Sequence, residues 1–323
     1  MTLFSRRQAI TLGSAALAAG ASGLIAQPAF ALGPSPTRKR VLRFAHVTDI
    51  HVQPELKAGE GFSKCLQHVQ SLPDPPTLIV FGGDEIMDSF EQGDTRTTLL
   101  WNLWHSIVKS ELSLPWKACI GNHDVWGWMK SKSHLTGNES LYGKKRAIKE
   151  LGIPDRYYSF DQAGWRFYIL DSIHPDLVES YRGQFDDEQL AWLDNDLSKL
   201  DPKTPVVVVS HIPILSTLGF VEDKVESDGN YHVSGGLVHG DYVKVKEIFK
   251  KHPNVKLCLS GHVHLIDRAE YLGVTYLCNG AVSAGWWRGP NYGECDEGYA
   301  VIDLYDDGSF EHQYVRYGWK AAA

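Results

Sequence analysis

The hexapeptide Cys119-Ile120-Gly121-Asn122-His123-Asp124 passes from apolar side chains through a glycine to an amide, an imidazole and a carboxylate. An apolar approach that stops at glycine reads as the end of a buried strand, with Gly121 permitting a sharp exit. Three polar side chains then emerge at the carboxyl end of that strand. In an open α/β sheet this rim is where ligands bind.

Outward from this stretch the same event recurs. Residues 41–48 are strand-like and end in Asp49-Ile50-His51. On an extended backbone residues i and i+2 point the same way, so Asp49 and His51 are expected to aim a carboxylate and an imidazole at one point. The run Leu78-Ile79-Val80-Phe81 suits a strand buried on both faces and stops at Gly82-Gly83-Asp84. Consecutive valines at 206–209 precede His211-Ile212-Pro213, and residues 255–259 deliver Gly261-His262-Val263-His264. One histidine in an apolar segment is more often a core or surface residue than a ligand. Polar groups that recur at one topological place after separate apolar runs form a site. Oxygen and imidazole groups without thiolates suit Mn²⁺, Fe²⁺ or Zn²⁺, and they are numerous enough to hold two ions with one carboxylate shared.

Helical spacing covers 62–69, 97–108, 186–200 and 242–249, and residues 165–170 form a further strand. Short strand patterns at 274–277, 299–304 and 311–315 predict a second, more antiparallel sheet. Residues 125–158 and 215–240 lack periodicity and are expected to wall a pocket, the latter as a lid. His46 has the opposite strand parity to the ligand pair and is expected to face away from it, while His239 is a candidate lid contact. Trp126, Trp128, Trp286 and Trp287 either line a pocket for a base or ring or pack over the second sheet.

The chain has 323 residues, 43% of them hydrophobic, enough for one large core in a single domain spanning 41–323. A net charge of −7 with a pI near 6.0 gives no general attraction to nucleic acid polymers or anionic lipid. Residues 1–31 are built differently. Arg6 and Arg7 precede an Ala- and Gly-rich apolar run, and Ala29-Phe30-Ala31 fits a small-x-small cleavage site. This segment is expected to be an export signal of twin-arginine type, which would place the mature protein in the periplasm or outside the cell, with no stable membrane insertion. Five cysteines give no tidy disulfide framework. Cys119, Cys258 and Cys278 read as buried small hydrophobes, and Cys278 with Cys295 is the one pairing to entertain.

The five blocks Asp49-x-His51, Gly83-Asp84, Gly121-Asn122-His123-Asp124, His211-x-Pro213 and Gly261-His262-x-His264, in this order, resemble the calcineurin-like metallophosphoesterase superfamily, in particular its cyclic-nucleotide phosphodiesterase-like members. The resemblance implies a four-layer α/β/β/α sandwich of two mixed sheets with a two-metal site at the strand ends. It implies one ion held by Asp49, His51, Asp84 and His264, and a second by Asp84, Asn122, His211 and His262, with Asp84 bridging. It also implies attack on phosphorus by a hydroxide bridging the metals, His123 assisting the leaving oxygen and Asp124 orienting His123. The family commonly has another polar residue three positions after Gly83-Asp84, where this chain has Met87 followed by Asp88, so no role is assigned to Asp88. The purple acid phosphatase branch has an iron-binding tyrosine there, and Met87 argues against that branch.

The expected function is hydrolysis of a small phosphoric ester, with diesters slightly preferred. The alternatives are a phosphomonoesterase or nucleotide pyrophosphatase, and a metal-binding scaffold without catalysis, against which the presence of both His123 and Asp124 speaks.

Overall fold

The computed structural model describes residues 38–222, 229–289 and 295–321. The expected export signal lies outside them. In chain order the first elements are β1 (Arg40–Val47), α1 (Ala58–Gln70), β2 (Leu78–Phe81), α2 (Asp94–Glu111) and β3 (Trp116–Ala118). Then come α3 (Lys130–Ser133), α4 (Lys144–Leu151), β4 (Tyr158–Gln162), β5 (Trp165–Ile169), β6 (Ile173–Pro175), β7 (Tyr181–Gly183), α5 (Asp187–Lys199) and β8 (Val206–Val209). The chain closes with α6 (Gly219–Glu222), α7 (Tyr242–Lys251), β9 (Val255–Ser260), β10 (Asp267–Tyr271), β11 (Val274–Cys278), β12 (Gly298–Tyr305) and β13 (Phe310–Arg316).

Two mixed sheets carry the fold. The first runs β13-β12-β1-β2-β3, with β1, β2 and β3 parallel and β12 and β13 antiparallel. The second runs β10-β11-β9-β8-β5-β4, parallel at its centre and antiparallel at both edges. The late strands therefore do not form a sheet of their own, as their short patterns predicted. They close the edges of both sheets, because β12 pairs with β1 and β11 pairs with β9.

Side-chain alternation sorts the core. In β8, Val207 and Val209 join the core that contains Phe44, and Val206 and Val208 join the one that contains Leu190, Leu193, Val245 and Phe249 of α5 and α7. The Phe44 and Phe167 rings meet edge to face at 5.5 Å between the sheets, while Phe81 meets Trp104 of α2 at 5.7 Å on the other side of the first sheet. The contacts thus run helix, sheet, sheet, helix. Asp186 starts α5 by accepting the Gln189 N–H at 2.8 Å, which explains why a sequence so acidic at its start begins a helix there.

The predicted irregular stretch 125–158 contains α3 and α4, and the small β6–β7 hairpin went unpredicted because its strands are three residues each. All five cysteines are buried and free, so Cys278 and Cys295 do not pair. Their sulfurs turn to other partners: Cys278 to the Gly261 carbonyl and Cys295 to Tyr314. Among the described residues no helix is long and apolar enough to cross a membrane.

Candidate metal centre

The loops that follow β1, β2, β3, β8 and β9 remain tied to one another past the ends of the strands. Asp49 N–H donates to the Gly83 carbonyl at 3.0 Å, His51 N–H to Asp84 at 2.9 Å, and Gly261 N–H to His211 at 3.0 Å. Beyond β1 the chain leaves the extended conformation: Asp49 and His51 have φ of 55° and 48°, and Asp84, His262 and His264 have 56°, 74° and 61°. Asp49 and His51 therefore do not converge by the i, i+2 alternation of an extended strand expected from the sequence. Left-handed residues, which Asp and His tolerate better than most, turn these side chains inward, at a cost that marks a functional loop.

Two glycines let the loops approach. A Cβ on Gly121 would lie 2.1 Å from Asp84 Oδ1, and one on Gly261 would lie 2.1 Å from Asp49 Oδ2. Both positions accept only glycine without the carboxylates moving.

The side chains gather around two neighbouring points. Around the first, His264 Nε2 lies 3.3 Å from Asp49 Oδ1 and 3.1 Å from His51 Nε2. Around the second, His211 Nε2 lies 3.1 Å from Asp84 Oδ2, 3.1 Å from Asn122 Oδ1 and 3.3 Å from His262 Nδ1. Asp84 stands between the two, 3.6 Å from His51 Nε2. Asp49, His51 and His264 form one group able to hold a metal ion, and Asp84, His211 and His262 another.

Donor chemistry tests whether metal fits. His264 Nδ1 is bound to the Ala284 carbonyl at 2.7 Å and His211 Nδ1 to the Gly82 carbonyl at 2.9 Å, so each donates there and turns an Nε2 lone pair into the cluster. Buried lone pairs facing buried carboxylates call for a cation, and Nδ1–H donors to carbonyls orient metal-binding imidazoles in this way. The electrostatics agree. Burial would lower the His211 pKa, yet Asp84 and Asp49 pull it up to about 9, so without a metal these carboxylates draw a proton to the Nε2 that a cation would otherwise occupy. Glu85, fully buried beside Asp124, has its pKa pushed far up by that burial.

His123 borders the cluster, and the cluster extends to it: His51, Asp84 and His123 offer ligand atoms to one another. Its Nδ1 pairs with Asp88 Oδ1 at 3.2 Å. Asp88 is itself held by the Phe90 and Glu91 N–H groups at 3.0 and 3.1 Å. Asp124 does not orient His123, contrary to expectation. Its Oδ2 accepts from Gly121 and Asp84 N–H at 2.8 and 2.9 Å, and its Oδ1 from Glu85 N–H at 3.0 Å. With both oxygens taken up by amides, Asp124 clamps the β2 and β3 loops together. Asp88, at a spacing the family pattern does not carry, takes the imidazole.

The calcineurin-like phosphoesterase family matches residues 42–265. The chain belongs to this family. It is a dinuclear phosphoric ester hydrolase related to the cyclic-nucleotide phosphodiesterases. A 3',5'-cyclic-nucleotide phosphodiesterase of Nostoc sp. is 23% identical over 288 residues, 86% of this chain and 93% of its own length. A probable glycerophosphodiester phosphodiesterase of Arcobacter nitrofigilis is 21% identical over 68% of this chain and 71% of its own. In fold, the chain is similar to a dimetal phosphatase from Danio rerio, with a TM-score of 0.59 at 15% identity over 87% of this chain and 98% of that one.

The phosphoesterase walls its cluster of metal-ligating side chains with aromatic rings. The Trp286 ring lies 4.0 Å from the His51 ring and 5.1 Å from that of His123, on a residue with φ of 63°. Trp287 is buried and anchors this loop by donating to the Ile50 carbonyl at 2.9 Å. Trp126 bonds the Gln92 carbonyl and Trp128 packs on Phe90, so of the four tryptophans Trp286 alone stacks beside the cluster. Tyr181 of β7 faces His262 at 6.0 Å and Phe90 at 5.7 Å. No sequence signal singled it out, because β7 is too short for periodicity. His239 is buried against Phe185 and bonded to Asp241, so it is no lid contact. His46 is bonded to Asn279 and stands outside the metal groups.

Proposed function

We propose that this phosphoesterase cleaves phosphodiesters in preference to monoesters, using a pair of Mn, Fe or Zn ions. The convergence of the His51, His211 and His264 Nε2 atoms on the Asp49 and Asp84 carboxylates carries the metal pair, and the preference for diesters rests on the likeness to phosphodiesterases and on the Trp286 ring beside the ligands. One ion would be held by Asp49, His51, Asp84 and His264, the other by Asp84, Asn122, His211 and His262. Two bound divalent cations supply Lewis acidity toward phosphoryl oxygens and a nucleophile at neutral pH.

The remaining work falls to the chain. Burial lowers the His123 pKa, but the Asp84 charge and the Asp88 hydrogen bond outweigh it and raise the net value, and the ring is the group placed to give a proton to the departing oxygen. Asp88 fixes the ring by its Nδ1, which leaves Nε2 for the substrate. Asp124 keeps Asp84 and Asn122 in register through the amides it accepts. Residues 1–31 are proposed as a cleaved twin-arginine export signal, on their charge and small-residue pattern. An intact mass beginning after Ala31 supports that; a mature chain beginning at Met1 removes it.

The deciding assay compares bis(p-nitrophenyl) phosphate with p-nitrophenyl phosphate, with Mn²⁺ and with chelator. Chelator-sensitive cleavage favouring the diester supports the proposal. Preference for the monoester transfers it to the phosphomonoesterase alternative.

A further inference from the structure

Three cavities meet at Tyr181, and two of them border the cluster of metal-ligating side chains. One, of about 470 Å³, is bordered by Asn122 and His123 and lined mainly by apolar groups, among them Met87, Phe90 and Met129. The other, of about 260 Å³, is bordered by His262 and His264 and lined by Trp286. The larger is within the range of about 300–1,000 Å³ that takes a drug-sized group.

The charges on the larger cavity are already matched. Arg96 forks onto Glu55 at 3.0 and 2.7 Å, Lys132 holds both Glu91 oxygens at 2.7 Å, and Asp88 faces His123 at 3.2 Å. Among the described residues that line this cavity, no lysine or arginine is left to receive an anion. Moving a charged group from water into such a space costs free energy with nothing to offset it. His123 stands at this cavity, so the alcohol whose oxygen it protonates leaves into it.

We infer that the substrate is an acyclic phosphodiester with two separate organic arms, the departing one bulky, uncharged and largely apolar. This rests on the phosphodiesterase reading above. In a cyclic diester both ester oxygens belong to one sugar, which is a single body lying to one side of phosphorus. Two cavities that border different members of the cluster, Asn122 and His123 for one and His262 and His264 for the other, fit two bodies. The retained arm lies against Trp286, and the departing arm lies over Met87, Phe90 and Met129, with Tyr181 between them.

The test uses Mn²⁺-loaded full-length protein and two phosphinates, which have the two free oxygens of a phosphodiester and no cleavable ester bond. Calorimetric titration is expected to show diphenylphosphinate binding at least tenfold more tightly than dimethylphosphinate. Met129→Glu should remove most of that preference by placing a carboxylate in the larger cavity, and Met129→Leu should keep it. Hydrolysis of thymidylyl-(3'→5')-thymidine should exceed that of thymidine 3',5'-cyclic monophosphate at least tenfold in kcat/KM, and both substrates expel a sugar alkoxide. Equal affinity for the two phosphinates, or cyclic turnover matching the acyclic, overturns the inference while leaving the phosphoesterase intact. Absence of both phosphinate binding and hydrolysis of any phosphoric ester defeats the reading beneath it as well.

Discussion

Asp49, His51 and Asp84 are at most 1% exposed and sit on loops laced together by backbone hydrogen bonds, whereas Tyr181 rises from a three-residue strand behind a hairpin tip at which Leu177 is fully exposed. The cradle is built from the carboxyl ends of parallel strands, and Gly121 and Gly261 let its loops close on the carboxylates. The walls are built from short elements added to that frame, and their side chains touch the cluster without supporting it. The difference separates two tasks: the cradle fixes what chemistry is possible, and the walls choose which ester receives it.

The comparison breaks most severely if a cradle residue proves dispensable. Asp84→Ala should lose bound metal together with all activity, and full metal occupancy in the purified variant would sink the assignment. Asp124→Ala should come next. It strips the acceptor from amides of both loops, which should lower stability by on the order of 3 kcal/mol and weaken metal retention, read by denaturant unfolding and metal analysis. If Asp124 instead acted only on His123, the variant would keep its metal and unfold at the same denaturant concentration.

His123→Ala should keep more of its metal than Asp84→Ala does and turn over about 10²- to 10⁴-fold more slowly, with the defect largest for poor leaving groups. Asp88→Ala should follow the same leaving-group pattern at about 10- to 100-fold, since it acts through the imidazole. A loss independent of the leaving group would separate Asp88 from His123. The smallest effect belongs far from both regions. Asp186→Ala removes the α5 cap and should cost about 1 kcal/mol in thermal unfolding while kcat is unchanged. A change in kcat would mean that the second sheet's helices feel the site.

The cradle was legible because each of its groups follows an apolar run, so that strand ends could be counted without knowing the fold. What the pattern misjudged was how the side chains converge. Strand parity explained Asp49 and His51 on the page, and positive φ explains them in space. Asp88 took the role expected of Asp124 for a related reason. Sequence adjacency suggested that Asp124 serves His123, yet a carboxylate that close along the chain reaches the loop's own amides, while Asp88 arrives from another loop. Of the walls, Trp286 was one of four equal tryptophans, and the anchoring of its neighbour Trp287 under His51 is a tertiary contact that no local pattern encodes.

The left-handed backbone at Asp49, His51, Asp84, His262 and His264 also limits how this centre can be re-engineered. An exchange of donor atoms is usually weighed by hardness and charge alone. Here each replacement must also live at a torsion angle open to asparagine, aspartate, histidine and glycine and strained for β-branched or bulky residues. The protein's vocabulary of ligands is thus narrowed by its main chain before any metal has a say, and a designer seeking a different ion would have to rebuild the loops first.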